Sequence, residues 1–321
     1  MHKVLKIGTR DSELAVWQAQ LVKEMLAGKG FKSELIFIKS DGDIDLITPI
    51  YEMNVQGVFT KSLDIALLNK KIDIAVHSMK DVPTQLAKGI AQAAVLSRGS
   101  YKDLLVYKSE WDVVKSKLDL ANQQTSNIQH LTSNISFTIA TSSIRRKAQW
   151  LNRYPNHRIE TLRGNVNTRL KKLNENNWNG VILAAAGLER INLRPKNSID
   201  LDWMLPAPAQ GAIMIVCNEE DEFAKKVCEL LNDKATALCT KIERDFLKAL
   251  LGGCSTPISA LAVIKNDEVI FKGNVLSNDG KEKMTIEKKQ NITTAAELGT
   301  EAADELLQKG ADKLIAEISR G

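Results

Sequence analysis

Four short stretches of the chain set hydroxyls or backbone N–H groups beside fixed positive charge. They are Thr9-Arg10-Asp11-Ser12, His77-Ser78-Met79-Lys80-Asp81-Val82-Pro83, Thr141-Ser142-Ser143-Ile144-Arg145-Arg146, and the run from Leu162 through Arg163 to Arg169. A guanidinium grips a carboxylate in a planar, two-point way, so the shared chemistry is recognition of a ligand with several anionic groups. One such arginine is usually a solvated surface charge; four junctions of the same kind in one chain are not explained that way. Asp81 differs, being an acid inside a basic set. It reads either as an ion-pair partner of Lys80 or as the group that stabilises a cation or moves a proton. His77 reads as a packed or capping histidine. Cys254 follows Gly252-Gly253, which leave the backbone free and the space open. It is either a buried structural thiol or a nucleophile and attachment point.

These groups need elements to hold them, and the hydrophobic pattern supplies strands and helices in alternation. Val4–Gly8, Ser33–Ile38 and Ile72–Val76 read as strands, with helices from Ser12, whose hydroxyl can cap, and over Ser62–Asn69. The first helix places Leu14, Trp17, Leu21, Val22 and Met25 on one face. The pattern returns with strands at Phe137–Thr141, Arg158–Leu162 and Val181–Ala184, and helices at Ser143–Arg153 and Val166–Asn176. Such alternation predicts mainly parallel sheets covered by helices. In them the basic junctions fall beyond the carboxyl ends of strands, where ligands bind. Residues 121–136, with eleven Asn, Gln, Ser or Thr, read as a surface insertion. The last third changes character: a helix near 235–251, antiparallel strands at 258–264 and 268–276, and two helices from Thr293 onward predict a small α+β unit.

Composition narrows the classes. With 321 residues, 44% hydrophobic and 26% charged, the chain is expected to be a soluble protein of two or three domains. No apolar run is long enough to span a bilayer and the start does not read as a secretory signal, so a cytoplasmic protein without a membrane partner is expected. The four cysteines, 217, 228, 239 and 254, lack metal-binding spacing, and no metal is expected. No nucleotide-binding glycine motif occurs. A net charge of +5 with 5% aromatics argues against nucleic acid as a partner.

Taken together, Ile7–Arg10 with Ser12, Asp73–Pro83, Thr141–Arg146, Leu162–Leu170, Ile182–Arg190, Gln210-Gly211-Ala212 and Gly252–Pro257 resemble the porphobilinogen deaminase (hydroxymethylbilane synthase) family, in its order and at roughly its spacing. The resemblance implies an α/β fold of two periplasmic-binding-protein-like domains plus a small α+β C-terminal domain. Domain 1 would take 1–99 plus about 212–230, domain 2 100–211, and domain 3, carrying the cofactor cysteine, 231–321. It implies a transferase of tetrapyrrole (haem) biosynthesis that condenses four porphobilinogen molecules head to tail into hydroxymethylbilane, with release of ammonia. Cys254 would hold a dipyrromethane cofactor through a thioether, and Asp81 would be catalytic, stabilising charge that develops at the pyrrole nitrogens. Lys80, Ser143, Arg145, Arg146 and Arg169 would bind the cofactor, and Arg10, Ser12, Arg163 and Arg190 the incoming ring. A monomer is expected.

Three positions depart from the family pattern: Gln56 where a lid loop usually carries lysine, Asn167 where glycine is common, and Pro208-Ala209 before Gln210. The rival reading is a solute-binding protein that captures a polycarboxylate between two α/β lobes. It accounts for the fold and the arginines but gives Asp81 and Cys254 no role.

Overall fold

The computed structural model describes residues 3–39, 60–108, 137–250 and 256–320. Cys254, Gln56 and the polar stretch at 121–136 lie outside the described residues. The chain begins with β1 (Leu5–Thr9), α1 (Glu13–Gly28), β2 (Ser33–Phe37), α2 (Lys61–Leu68), β3 (Ile74–Ser78) and β4 (Ile90–Val95). It continues with β5 (Asp103–Tyr107), β6 (Thr138–Ala140), α3 (Ile144–Arg153), β7 (Arg158–Glu160), α4 (Val166–Glu175), β8 (Gly180–Ala184), α5 (Ala185–Arg190) and β9 (Ser198–Asp200). Then come β10 (Ile213–Asn218), α6 (Glu222–Glu229), α7 (Lys234–Ala249), β11 (Ile258–Lys265), β12 (Glu268–Leu276), β13 (Lys283–Asn291), α8 (Leu298–Leu306) and α9 (Asp312–Arg320).

Two five-stranded sheets share one plan. The first runs β2-β1-β3-β10-β4 and the second β7-β6-β8-β5-β9. In each, three parallel strands are followed by an antiparallel strand taken from a distant part of the chain, and an edge strand then pairs with that one. The chain therefore passes between the lobes twice, and the architecture is α/β in two lobes of one strand plan. The small α+β unit follows as the antiparallel sheet β11-β12-β13 with its helices.

The parallel strands are apolar along their length because both faces are covered. On one side of the first sheet Leu5, Ile7, Ile74 and Val76 pack with residues of α1 and α6; on the other Ala75, Met214 and Val216 pack with α2. In the second lobe Leu105, Ile139 and Ile182 meet Trp150 and Tyr154, while Leu104, Val106 and Val181 meet Leu173 and Leu188. Helix α1 buries Gln18, Ala19, Val22 and Leu26, with Trp17, Leu21 and Met25 at the margin of the core. Its buried stripe thus lies slightly around from the expected face, because the Gln18 amide is taken inside to donate to Ser78 Oγ at 2.8 Å. Cys217, Cys228 and Cys239 are buried free thiols.

The third unit joins the lobes through α7. Its Glu243 is fully buried and accepts from Arg98 Nη1 at 2.6 Å, Arg98 Nη2 at 3.0 Å, Ala209 N at 2.6 Å and Ala262 N at 2.8 Å. One carboxylate thereby ties both interlobe crossings to the third sheet. The crossings also touch each other, with Gly99 N donating to Gly211 O at 3.0 Å. Gly211 has φ +89, and a Cβ there would come within 2.6 Å of Ser100 O, so glycine is required twice over.

Candidate active site

The basic junctions lie at the carboxyl ends of β1 and β3 in the first lobe and of β6, β7 and β8 in the second. The two sets face each other. Asn167 Nδ2 on α4 donates to Glu13 Oε2 on α1 at 2.7 Å, and the Arg190 guanidinium lies 5.8 Å from the Trp17 ring centre.

The second-lobe junctions are built by short local bonds. Ser143 is the N-cap of α3, its hydroxyl accepting from Arg146 N at 3.4 Å, and Asn165 caps α4 by accepting from Thr168 N at 2.9 Å. Ser142 Oγ accepts from Leu162 N at 3.0 Å, which holds the two junctions side by side. In the first lobe, Ser12 occupies the N-cap position of α1, but its side chain makes no capping bond. The sequence expectation of a hydroxyl cap there is corrected. Ser12 O accepts the helical bond from Val16 N at 2.9 Å, while its hydroxyl makes no bond to the helix N–H groups.

After β3 the chain makes one tight turn, Met79–Asp81, which sets Lys80 and Asp81 at the strand end. Burial pushes the Lys80 ammonium down to about 8, with Arg145 and Arg146 adding to the fall and Asp81 and Asp103 opposing it. Arg169 donates Nε to Gly164 O at 2.7 Å; burial, helped by Arg146 and Arg163, draws it down to about 10 against the pull of Asp81. Lys80, Asp81, Arg145, Arg146, Arg163 and Arg169 thus act on one another as a single electrostatic cluster. Asp81 itself is exposed and, among the described residues, forms no ion pair. Asp81 and Lys80 are not in ion-pair contact here, although the charge of Asp81 acts on the Lys80 ammonium.

Arg145 and Arg146 have a partner that sequence reasoning missed. Asp103, the first residue of β5, is fully buried; its Oδ1 accepts from Arg146 Nε at 2.9 Å, Arg146 Nη2 at 2.8 Å and Gln210 Nε2 at 3.0 Å, and its Oδ2 is ion-paired with Arg145 Nη2 at 2.8 Å. Burial alone would raise its pKa; the two guanidinium groups and the Gln210 bond outweigh that and hold it at about 2. An acid opening the buried run Leu104-Leu105-Val106 was the available signal, since a buried acid requires a charged partner. Arg145 also donates Nη1 to Leu205 O at 2.7 Å, and Arg146 donates Nη1 to Ile182 O at 3.1 Å.

The remaining sequence-predicted residues lie outside this cluster. Arg190 donates Nη2 to Gly211 O at 2.7 Å at the crossing between the lobes, and burial lowers it to about 10. Arg10 and Ser12 stand at the start of α1. His77 is buried, and desolvation with the charge of Arg10 lowers it to about 4, so its ring is neutral near pH 7. Cys254 belongs to the undescribed stretch.

The cluster carries more positive than negative charge in a partly dry setting, which is costly unless an anionic ligand offsets it. Donor set and surplus charge fit a group bearing several carboxylates.

Fold and site together define a two-lobed α/β protein whose facing strand ends are furnished for a polyanionic ligand. Residues 5–226 match the family model described as "Porphobilinogen deaminase, dipyromethane cofactor binding domain", and residues 237–308 match "Porphobilinogen deaminase, C-terminal domain". The chain belongs to the porphobilinogen deaminase family, and with it to the transferases that work on a dipyrromethane cofactor. The porphobilinogen deaminase of Chlorobium phaeobacteroides (strain BS1) is 37% identical over 100% of this chain and 99% of its own. The probable porphobilinogen deaminase of Methanocaldococcus jannaschii is 40% identical, over 92% of this chain and 97% of its own. Among solved structures, the second substrate binding domain of a putative amino acid ABC transporter from Streptococcus pneumoniae aligns with 71% of this chain and 91% of that one, at 11% identity and a TM-score of 0.43.

Proposed function

We propose that this chain condenses four porphobilinogen molecules stepwise into hydroxymethylbilane, releasing ammonia, and that Asp81 is the acid that serves the reacting pyrroles. The observation that carries the assignment is the exposed carboxylate of Asp81, which forms no ion pair among the described residues, at the edge of a cluster of cations, Lys80, Arg145, Arg146 and Arg169. A dipyrromethane, when bound, supplies the terminal pyrrole on which the new chain is built. Lys80, Ser143, Arg145, Arg146 and Arg169 would hold its acetate and propionate groups, with Cys254 as the thioether anchor. Arg10, Ser12, Arg163 and Arg190 would bind the incoming ring. With Lys80 and the arginines engaged by substrate carboxylates, Asp81 is left to face the pyrrole N–H and to stabilise positive charge there as it develops. It would also accept and return the proton at its own carboxylate oxygens.

Three further readings go with this one. The boundaries 1–99 with 212–230, 100–211 and 231–321 follow the three sheets. The protein acts in the cytoplasm as a monomer. No helix among the described residues is long and apolar enough to cross a membrane.

Steady-state kinetics with porphobilinogen test the assignment of Asp81. Asp81→Asn keeps the shape and removes the charge, and kcat is expected to fall by at least about 100-fold, because general acid–base help alone contributes 10²–10⁴. A kcat that survives, with only KM raised, would overturn it.

A further inference from the structure

Arg244 lies on α7, in the third unit, yet among the described residues its three side-chain hydrogen bonds go to the first lobe. It donates Nη1 to Met79 O at 3.3 Å and Val82 O at 2.9 Å, and Nη2 to Pro83 O at 2.6 Å. These carbonyls bracket Lys80 and Asp81. A single three-residue turn has poor internal bonding, and here only Val82 N to Met79 O, at 3.2 Å, closes it from within. Met79 and Val82 pack their side chains into the first-lobe core and Met79 N donates to Ala212 O at 3.0 Å, but towards α7 the turn borders an open hollow of about 390 Å³, lined by Met79, Thr84, Leu86, Ala237, Lys241 and Arg244. Arg244 itself is buried, and desolvation lowers it to about 10, so the guanidinium stays charged at neutral pH.

We propose that Arg244 is a positioning residue for the reaction, holding the Met79–Pro83 turn from the third domain so that the Asp81 carboxylate is presented to the cleft. The inference rests on the role given to Asp81 above. A planar guanidinium can serve three carbonyls at once; an ammonium on a flexible stem cannot hold them in the same geometry. The same helix ends at Ala249, five residues before Cys254 in the sequence.

The test is a double-mutant cycle on the full-length, dipyrromethane-loaded enzyme. Arg244→Lys is expected to lower kcat roughly 10- to 100-fold, the scale of an ångström's misplacement, while KM and the mass of bound dipyrromethane hold steady. Arg244→Gln, which keeps an amide donor on a shorter stem, serves as the second variant should the lysine form fold poorly. If Arg244 acts through Asp81, the Arg244→Lys/Asp81→Asn double variant turns over no more slowly than Asp81→Asn alone. If the two losses multiply, Arg244 does not act through Asp81 and this inference fails by itself. If Asp81→Asn alone leaves kcat unchanged, the role of Asp81 fails first and takes the inference with it. A raised KM with kcat intact in Arg244→Lys also overturns it.

Discussion

Replacing Asp103 by asparagine changes almost no volume yet removes the negative charge shared by Arg145 and Arg146. In the folded protein this carboxyl titrates at about 2, against an ordinary 3.8. That depression is worth about 2 kcal/mol of stability at neutral pH. The substitution does more than forfeit that sum, because it leaves two buried guanidinium groups facing a neutral amide. Removing one member of a buried ion pair costs about 3–5 kcal/mol, and we expect Asp103→Asn to fall in that range. Equilibrium urea unfolding at pH 7 should show a lower midpoint with an unchanged slope. Asp200→Asn is the control: its carboxylate pairs with Lys102 and Arg194 at the surface, and such pairs contribute at most about 1 kcal/mol. The pH dependence carries a second signature. A folded pKa below the unfolded one stabilises fully above 3.8 and is lost as pH falls through about 2. The gap between native and variant should therefore be flat from pH 7 to 5 and narrow only in strong acid. A loss below 1 kcal/mol at pH 7, or a gap that closes near pH 6, would refute the assignment of Asp103 as the shared counter-ion.

Other outcomes follow from the same structure. Cys254→Ala should lose the mass of two linked pyrrole units from the purified protein and lose activity with it, whereas replacing the buried Cys217 should not alter that mass; intact-protein mass spectrometry reads both. His77 and His157 are held neutral down to about 4 by burial, against 6.5 in the open chain. Stability should therefore fall as pH drops from 6.5 towards 4, by up to about 3 kcal/mol for each, and His157→Gln should flatten part of that slope in urea midpoints taken across the range. Gln56→Lys is expected to lower KM for porphobilinogen at low ionic strength, with the gain shrinking as salt screens beyond about 10 Å at 0.1 M. An unchanged KM at every salt concentration would show that this position does not meet substrate carboxylates.

How much of this was legible in the chain varies with the range of the interaction. The junctions at Arg10, Lys80, Arg145 and Arg163 were readable because a strand, a turn and a helix start are local patterns, and helices α3 and α4 begin within a residue of expectation. The partners of those residues were not readable. Asp103 is brought to Arg146 by β5 entering the second sheet antiparallel to β8, and nothing in a single segment announces that pairing. The strands β4, β5 and β9 went unread for the same reason, being short pieces whose identity comes from the sheet they join. The family resemblance indicated that the region around 212–230 returns to the first domain, but not which two strands β10 would separate. β13 has one exposed face, and its run Lys283-Met284-Thr285-Ile286-Glu287 contains too few apolar residues to stand out. Glu243 and Arg244 went unread within the helix expected near 235–251, and both are buried at domain junctions. For long-range contacts, the informative sign is the charged residue on the wrong face of its element.

The crossed strands also set an order of events during synthesis. All five strands of the second sheet fall between Asp103 and Asp200, so that lobe can close as soon as its own segment has emerged. The first sheet cannot. Its β3 and β4 have no direct pairing and must wait for β10, made only after the whole second lobe. Until Ile213–Asn218 arrives, both strands present open edges, the state in which sheets pair wrongly with other chains. The lobe that is made first is thus the lobe that is finished second. A nascent chain stopped short of Ile213 would carry a complete second lobe behind a first lobe that still lacks the strand joining β3 to β4.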